Sequence, residues 1–217
     1  MSEQVFILIR HGQSTANASG VWQGQMDFPL SEEGRRQALL AGKALVGERL
    51  DAIYSSPLGR AFETAEIIAR ETGFRGSVVP LDGLMERHGG SLEGTTHAER
   101  EARNPESTRK FLALPEQERW MLVGAETDEE VIARFEGAIS DVRALQPSGA
   151  RLGVVSHGGV MRAFLRDRFG AGVLPGTERA ANASITRIAW GTDDEPRLLE
   201  VASTRHLSSL LRVSARE

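Results

Sequence analysis

Val5 to Ile9 form an unbroken apolar run that stops abruptly against Arg10, His11 and Gly12. So short and continuous a run predicts a strand buried on both faces. From His11 to Ser31 the chain carries Gly12, Ser14, Asn17, Ser19, Gly20, Gly24 and Pro29, which predicts a long loop, and loops of that length usually serve a function. Ser31 is placed to cap a helix with Glu32 and Glu33 in its first turn and Ala38, Leu39, Gly42 and Leu45 near one face. "DAIYSSP" (51–57) reads as a second strand, "RAFETAEIIARETG" as a helix stopped by Gly73, and "GSVVP" (76–80) as a third strand. Strand character then disappears from Leu84 to about Ser148, where polar helical sequence is broken at Gly89-Gly90, Asn104-Pro105 and Pro115. Within that stretch Val131, Ile132, Phe135, Ile139 and Val142 recur at helical spacing and predict a helix over 127–145. "ARLGVVSHGG" (150–159) returns to an apolar strand, this time ending on a histidine, and "VMRAFLRDRFG" reads as a helix stopped by Gly170. "SITRIAW" and "PRLLEVAS" close the pattern as a late pair of strands.

Strands alternating with helices predict an α/β fold: a three-layer α/β/α sandwich around a mostly parallel sheet, with an antiparallel edge from the late pair. Residues 1–217 are read as one domain, with a helical cap subregion at about 84–148. In such sheets ligands bind at the carboxyl ends of strands. Arg10 and His11, Arg60, and His157 all follow predicted strands there.

Composition narrows the chemistry. With no cysteine, disulfides, thiolate metal centres and thiol catalysis are excluded, which suits a reducing compartment. No basic segment precedes the first apolar run and no stretch reaches the length of a membrane span, so a cytoplasmic protein without membrane contact is expected. The 26 basic and 30 acidic residues are interspersed, for a net charge of −4, which disfavours nucleic-acid binding. A local cluster of cations can still hold a small anion. A homodimer is compatible with the sequence. "GAGVLPGTE" lacks the lysine and spacing of a P-loop, and no G-x-S-x-G elbow is present.

Taken singly, each histidine is more often packed or solvated than catalytic, and Arg10 could be a surface cation. The recurrence is what carries weight: "RHG" ends one buried strand and "SHGG" another, so two imidazoles meet one edge of one sheet. A neutral histidine whose second ring nitrogen is tied by a hydrogen bond is a good nucleophile. Arginine forks match phosphate oxygens in pairs. Arg10, Arg60 and His157 around His11 would stabilise charge on a transferring phosphoryl group. Gly12 would let the phosphate approach the backbone, with the following amides as donors. Glu86, in a glycine-flanked loop, is the candidate proton donor for the leaving alkoxide, or else forms a salt bridge with Arg87 or another neighbouring arginine.

Together, "RHGQSTAN", "WQGQMDFPLSEEGRRQA", "SSPLGRAFETAE", "LMERHGGSLEG", "SHGGVMR" and "NASITRI" resemble the histidine phosphatase superfamily, which includes cofactor-dependent phosphoglycerate mutases and many small-molecule phosphatases. The resemblance implies His11 as phosphohistidine nucleophile, Arg10, Arg60 and His157 as phosphate pocket and Glu86 as proton donor. It also implies Asn17, Gln23, Gly24, Arg87 and Gly158 as substrate contacts, and no metal.

"ERHGGSLEG" resembles the mutase stretch Glu-Arg-His-Tyr-Gly, but Gly89 stands in place of the aromatic residue and His97 in place of a downstream lysine. The arginine pair with which mutases grip a carboxylate has only Arg109-Lys110 or Arg119 as counterparts here. "SHGGVMR" and "NASITRI" resemble the phosphatase branch. In "GAETDEE", which stands where many phosphatases have Gly-Glu-Ser, Glu126 and Thr127 either fill that role or begin a helix with Thr127 as cap. The implied activity is a phosphomonoester hydrolase acting on a small phosphorylated metabolite, its expected partner, through phosphohistidine and without a cofactor. The alternative is a mutase primed by 2,3-bisphosphoglycerate, and a lesser one is a non-catalytic phosphate-binding module. Trp22 either walls the pocket or covers core, Trp120 and Met121 are expected to pack the cap, and His97 and His206 to be solvated.

Overall fold

The computed structural model describes residues 2–174, 180–191 and 195–208. Six strands form one sheet in the order β3-β2-β4-β1-β5-β6. They are β1 (Gln4–Arg10), β2 (Ala52–Ser55), β3 (Val78–Pro80), β4 (Arg151–Ser156), β5 (Ile185–Trp190) and β6 (Pro196–Ser203). β1 to β4 run parallel, and β5 and β6 add the antiparallel edge. The helices are α1 (Thr15–Ala18), α2 (Glu32–Leu45), α3 (Gly59–Thr72), α4 (His97–Arg103), α5 (Pro105–Ala113), α6 (Glu116–Leu122), α7 (Asp128–Leu145) and α8 (Gly158–Phe169).

The unbroken apolar run of β1 follows from its place inside the sandwich. Phe6 and Leu8 enter the core beneath α7 and α8, while Ile7 and Ile9 enter the core beneath α2 and α3. Each is essentially inaccessible to water, and burial of that kind stabilises by about 1.5–3 kcal/mol per side chain. β4 repeats the arrangement, with Val154 on one face and Val155 on the other. In the parallel register Ile9 pairs with Val155 and Arg10 with Ser156, and the His11 amide bonds Ser156 O at 2.9 Å. His11 and His157 therefore leave the sheet side by side.

Helix boundaries follow local chemistry. Ser31 caps α2 by accepting from the Gly34 amide, Thr127 caps α7 in a reciprocal box with Glu130, and Gly73, at φ 69°, ends α3. Gly170 follows α8. β3 is a short, largely exposed edge strand, which is where a proline is tolerated.

Two features depart from the sequence reading. The segment read wholly as loop contains α1, a single turn capped by Ser14, whose side chain and Asn17 bond reciprocally. It is too short to leave a periodic signal. The helical stretch at 84–148 divides in two: α4, α5 and α6 form the cap, whereas α7 joins the sandwich through Val131, Phe135, Ile139 and Val142, packed with Phe164 of α8. An apolar stripe specifies a buried helix face but not the layer that covers it.

Candidate active site

His11 is almost wholly buried, and its Nδ1 lies 2.6 Å from the Gly12 carbonyl. A carbonyl can only accept, so Nδ1 carries the proton and Nε2 keeps its lone pair. Burial is the largest influence on this ring and drives its pKa well below the usual histidine value; the charges of Arg10 and Arg60 push the same way, and the Gly12 bond opposes them. His11 is thus neutral at physiological pH.

His157 immediately precedes α8, fully buried, its ring centroid 5.0 Å from that of His11. Its Nε2 lies 2.8 Å from Ser56 Oγ, and its buried Nδ1 has no protein partner. Burial, then Arg60, His11 and Arg10, lower its pKa well below normal. Arg60, in the first turn of α3, is fully buried and donates to Met26 O at 2.8 Å and Gly24 O at 2.7 Å. Burial lowers its pKa, while Glu86, Asp27 and Glu93 oppose the shift. Arg60 therefore clasps the 24–26 loop as well as charging the site. Arg10 donates through Nη1 to Ala180 O. It lies across Gly158, where a Cβ would come within 3.0 Å of Arg10 Nε.

Gly12 has a different role from the one expected. A Cβ there would meet Gly34 O at 2.3 Å, and its amide is already bonded to Thr64 Oγ1 at 3.1 Å, while that of Gln13 is bonded to Gln37 Oε1. Gly12 lets the loop pass the start of α2, and neither amide is left for a phosphate.

Glu86 accepts from the amides of Arg87 (2.8 Å), Gly159 (2.9 Å) and Val160 (2.9 Å), so the first turn of α8 holds both carboxyl oxygens in place. The alternative salt bridge with Arg87 is not formed: that guanidinium binds Asp128 and Glu126 O and stacks over Trp120 at 4.6 Å.

Arg10, His11, Arg60 and Glu86 line one cavity of about 500 Å³ together with Asn17, Gln23, Gly24 and Arg87, whereas His157, fully buried beside the His11 ring, is not on its wall. Gly159 stands on its wall, whereas Gly158 lies behind Arg10. Gln23 Oε1 accepts from Ser14 Oγ at 2.7 Å, and Asn17 Oδ1 accepts from Ser14 N and Asn182 Nδ2. The cap contributes Arg100, Phe111, Leu112, Glu116 and Arg119, none of them singled out as a site residue by sequence reasoning, although Arg119 was an ambiguous substrate contact. Trp22 walls the cavity and packs on Trp120 at 5.8 Å. Met121 faces solvent at 72% exposure rather than packing the cap, because α6 presents Trp120 inward. His206, expected to be solvated, is half-buried with Nε2 3.0 Å from Ala183 O, whereas His97 is exposed beside Glu101. In "GAETDEE", Thr127 is the helix cap and Glu126 pairs with Arg134. Among the described residues no group of three or more histidines and carboxylates could hold a metal ion, and no helix is long and apolar enough to cross a membrane.

Residues 6–204 match the histidine phosphatase superfamily (branch 1). The chain belongs to that superfamily. A metal-independent phosphoserine phosphatase of Arabidopsis thaliana is 38% identical over 159 residues, covering 73% of this chain and 66% of that one, so the chain spans just under two thirds of that relative. A glucosyl-3-phosphoglycerate phosphatase of Mycobacterium tuberculosis is 35% identical over 172 residues, 76% of this chain and 74% of that one. A solved mycobacterial glucosyl-3-phosphoglycerate phosphatase complexed with VO3 superimposes with a TM-score of 0.76 at 29% identity, covering 92% of this chain and 99% of that one. The six-stranded sheet and its helical layers are those of this histidine phosphatase fold.

Proposed function

We propose that the protein hydrolyses small phosphomonoesters through a phosphohistidine formed on His11. The observation that carries the reading is the state of that ring: neutral, with Nδ1–H fixed on Gly12 O, and beside two buried arginines and His157. Nε2 attacks phosphorus, the P–O bond to the alcohol breaks, and the alkoxide takes a proton from Glu86. Water then attacks the phosphohistidine, gives a proton back to Glu86, and releases inorganic phosphate with the imidazole restored. Arg10, Arg60 and the unpartnered Nδ1 of His157 are the groups available to the equatorial oxygens in both steps.

The cavity is far larger than a phosphoryl group, and its cap end supports a substrate class. Arg100 and Arg119 line it and bond only to backbone carbonyls and Thr95 Oγ1, with no carboxylate within 4.0 Å among the described residues. A phosphomonoester carrying a second anionic group suits them, and phosphoserine and glucosyl-3-phosphoglycerate, for which the relatives are named, both carry a carboxylate. The mutase reading has less support, because Arg87, the mutase-like contact, is committed to Asp128, Glu126 and Trp120. The absence of cysteine suits a reducing compartment and so a cytoplasmic enzyme. The test is 3-phosphoglycerate with and without 2,3-bisphosphoglycerate, alongside phosphoserine. Release of inorganic phosphate without the bisphosphate supports hydrolysis. Efficient formation of 2-phosphoglycerate that depends on it overturns the reading.

A further inference from the structure

The turn at 180–184 lies outside the cavity wall, yet it holds both residues that leave β1. Ala180 O accepts from the Arg10 side chain, and Ser184 O accepts from the Arg10 amide at 3.1 Å. The Ala183 amide and Asn182 Nδ2 both donate to His11 O, each at 3.1 Å, and Asn182 Nδ2 also reaches Asn17 Oδ1 at 3.2 Å. The turn is made by Ala183, fully buried at φ 56°, a left-handed conformation that a residue with a Cβ adopts only when its surroundings hold it there. One constraint is identifiable. His206, in the 3-10 turn Arg205–Leu207, places Nε2 3.0 Å from Ala183 O, and neighbouring Leu207 anchors that turn in the core beneath α2 and α3.

We infer that His206 is a positioning residue: its Nε2–H holds Ala183 O, the Ala183 turn holds the His11 carbonyl, and the His11 imidazole is thereby aimed. The inference rests on the proposed reaction only in taking His11 as the reacting group. Burial lowers the His206 pKa, consistent with a neutral ring donating from one nitrogen. Reaction rates are steep in nucleophile placement, where a displacement of about 1 Å can cost about 10²-fold, so partial loosening of His11 is expected to cost about tenfold.

The test compares His206→Ala with His206→Gln, whose side-chain amide can present N–H where Nε2 stood. Turnover of p-nitrophenyl phosphate is measured together with affinity for orthovanadate, which mimics the five-coordinate transition state, and for inorganic phosphate, which does not. The expected result for His206→Ala is a kcat lower by about tenfold, KM within about twofold, and vanadate affinity reduced by a similar factor with phosphate affinity retained; His206→Gln recovers most of the loss. Unchanged vanadate affinity, or equal losses in both variants, overturns the inference. Should His206→Ala lose its thermal transition, His206→Leu, which keeps side-chain bulk but removes the Nε2–H donor to Ala183 O, must show the same selective loss of vanadate affinity. Vanadate binding requires no turnover, so a wild-type protein that binds it without hydrolysing esters refutes the hydrolase reading and leaves this test intact.

Discussion

The two ends of the cavity are built by different rules. At the phosphoryl end, His157 and Arg60 are fully buried, His11 is 2% exposed, and strand register and the first turn of α8 fix the reacting groups. At the cap end the chain is short helices with exposed apolar side chains, Leu112 at 49% and Met121 at 72%. A carboxylate clasp from Glu116 to Arg162 and Arg166 ties α6 to α8. One end is rigid because the sandwich core stands behind it; the other has few buried contacts and is the region expected to open at lower cost. On the proposed function, the chemistry belongs to the sheet and the choice of substrate to a thin layer laid over it.

Substitutions that break the phosphoryl end should be far costlier than those at the cap. His11→Ala is expected to reduce kcat by about 10⁴-fold or more, measured with p-nitrophenyl phosphate. Arg60→Ala removes a buried charge and the clasp on Gly24 and Met26, and should lower kcat/KM by about 10³-fold and also lower Tm. At the other end, Arg119→Ala should raise KM for phosphoserine by about tenfold while leaving p-nitrophenyl phosphate turnover within about twofold. An equal loss on both substrates would erase the division between the two ends.

A stability titration sharpens the same contrast. His11 and His157 have folded pKa values well below the unfolded value near 6.5, so the unfolded chain binds more protons at acid pH. Their contribution is complete above about pH 6.5 and is lost as pH falls toward the folded values, with a slope of up to about 1.4 kcal/mol per pH unit for each ring. The double variant His11→Gln/His157→Gln should flatten this dependence in denaturant titrations between pH 5 and pH 7.

What the sequence made legible was local or register-bound. Ser31, Thr127, Gly73 and Gly170 mark helix ends through backbone chemistry confined to a few residues. The two histidines were legible because parallel pairing of two similar runs must bring their ends together. What stayed hidden depends on partners distant in the chain. Gly12 serves Gly34, Arg60 clasps the 24–26 loop, and Glu86 takes the amides of α8. His206 reads as solvated in the sequence because its partner, Ala183, has no chemistry of its own and matters only through its backbone. The assignment of α7 to the sandwich was hidden for a related reason, since its apolar stripe would serve a cap equally well.

The central claim is the covalent step on one imidazole, and rapid acid-free quenching of a turnover mixture, followed by peptide mapping, tests it most directly. The account predicts an acid-labile, base-stable phosphoryl group on His11, formed at a rate no slower than turnover and absent from His11→Ala. Turnover with no such adduct, or with the phosphoryl group on His157 or another side chain, would contradict it.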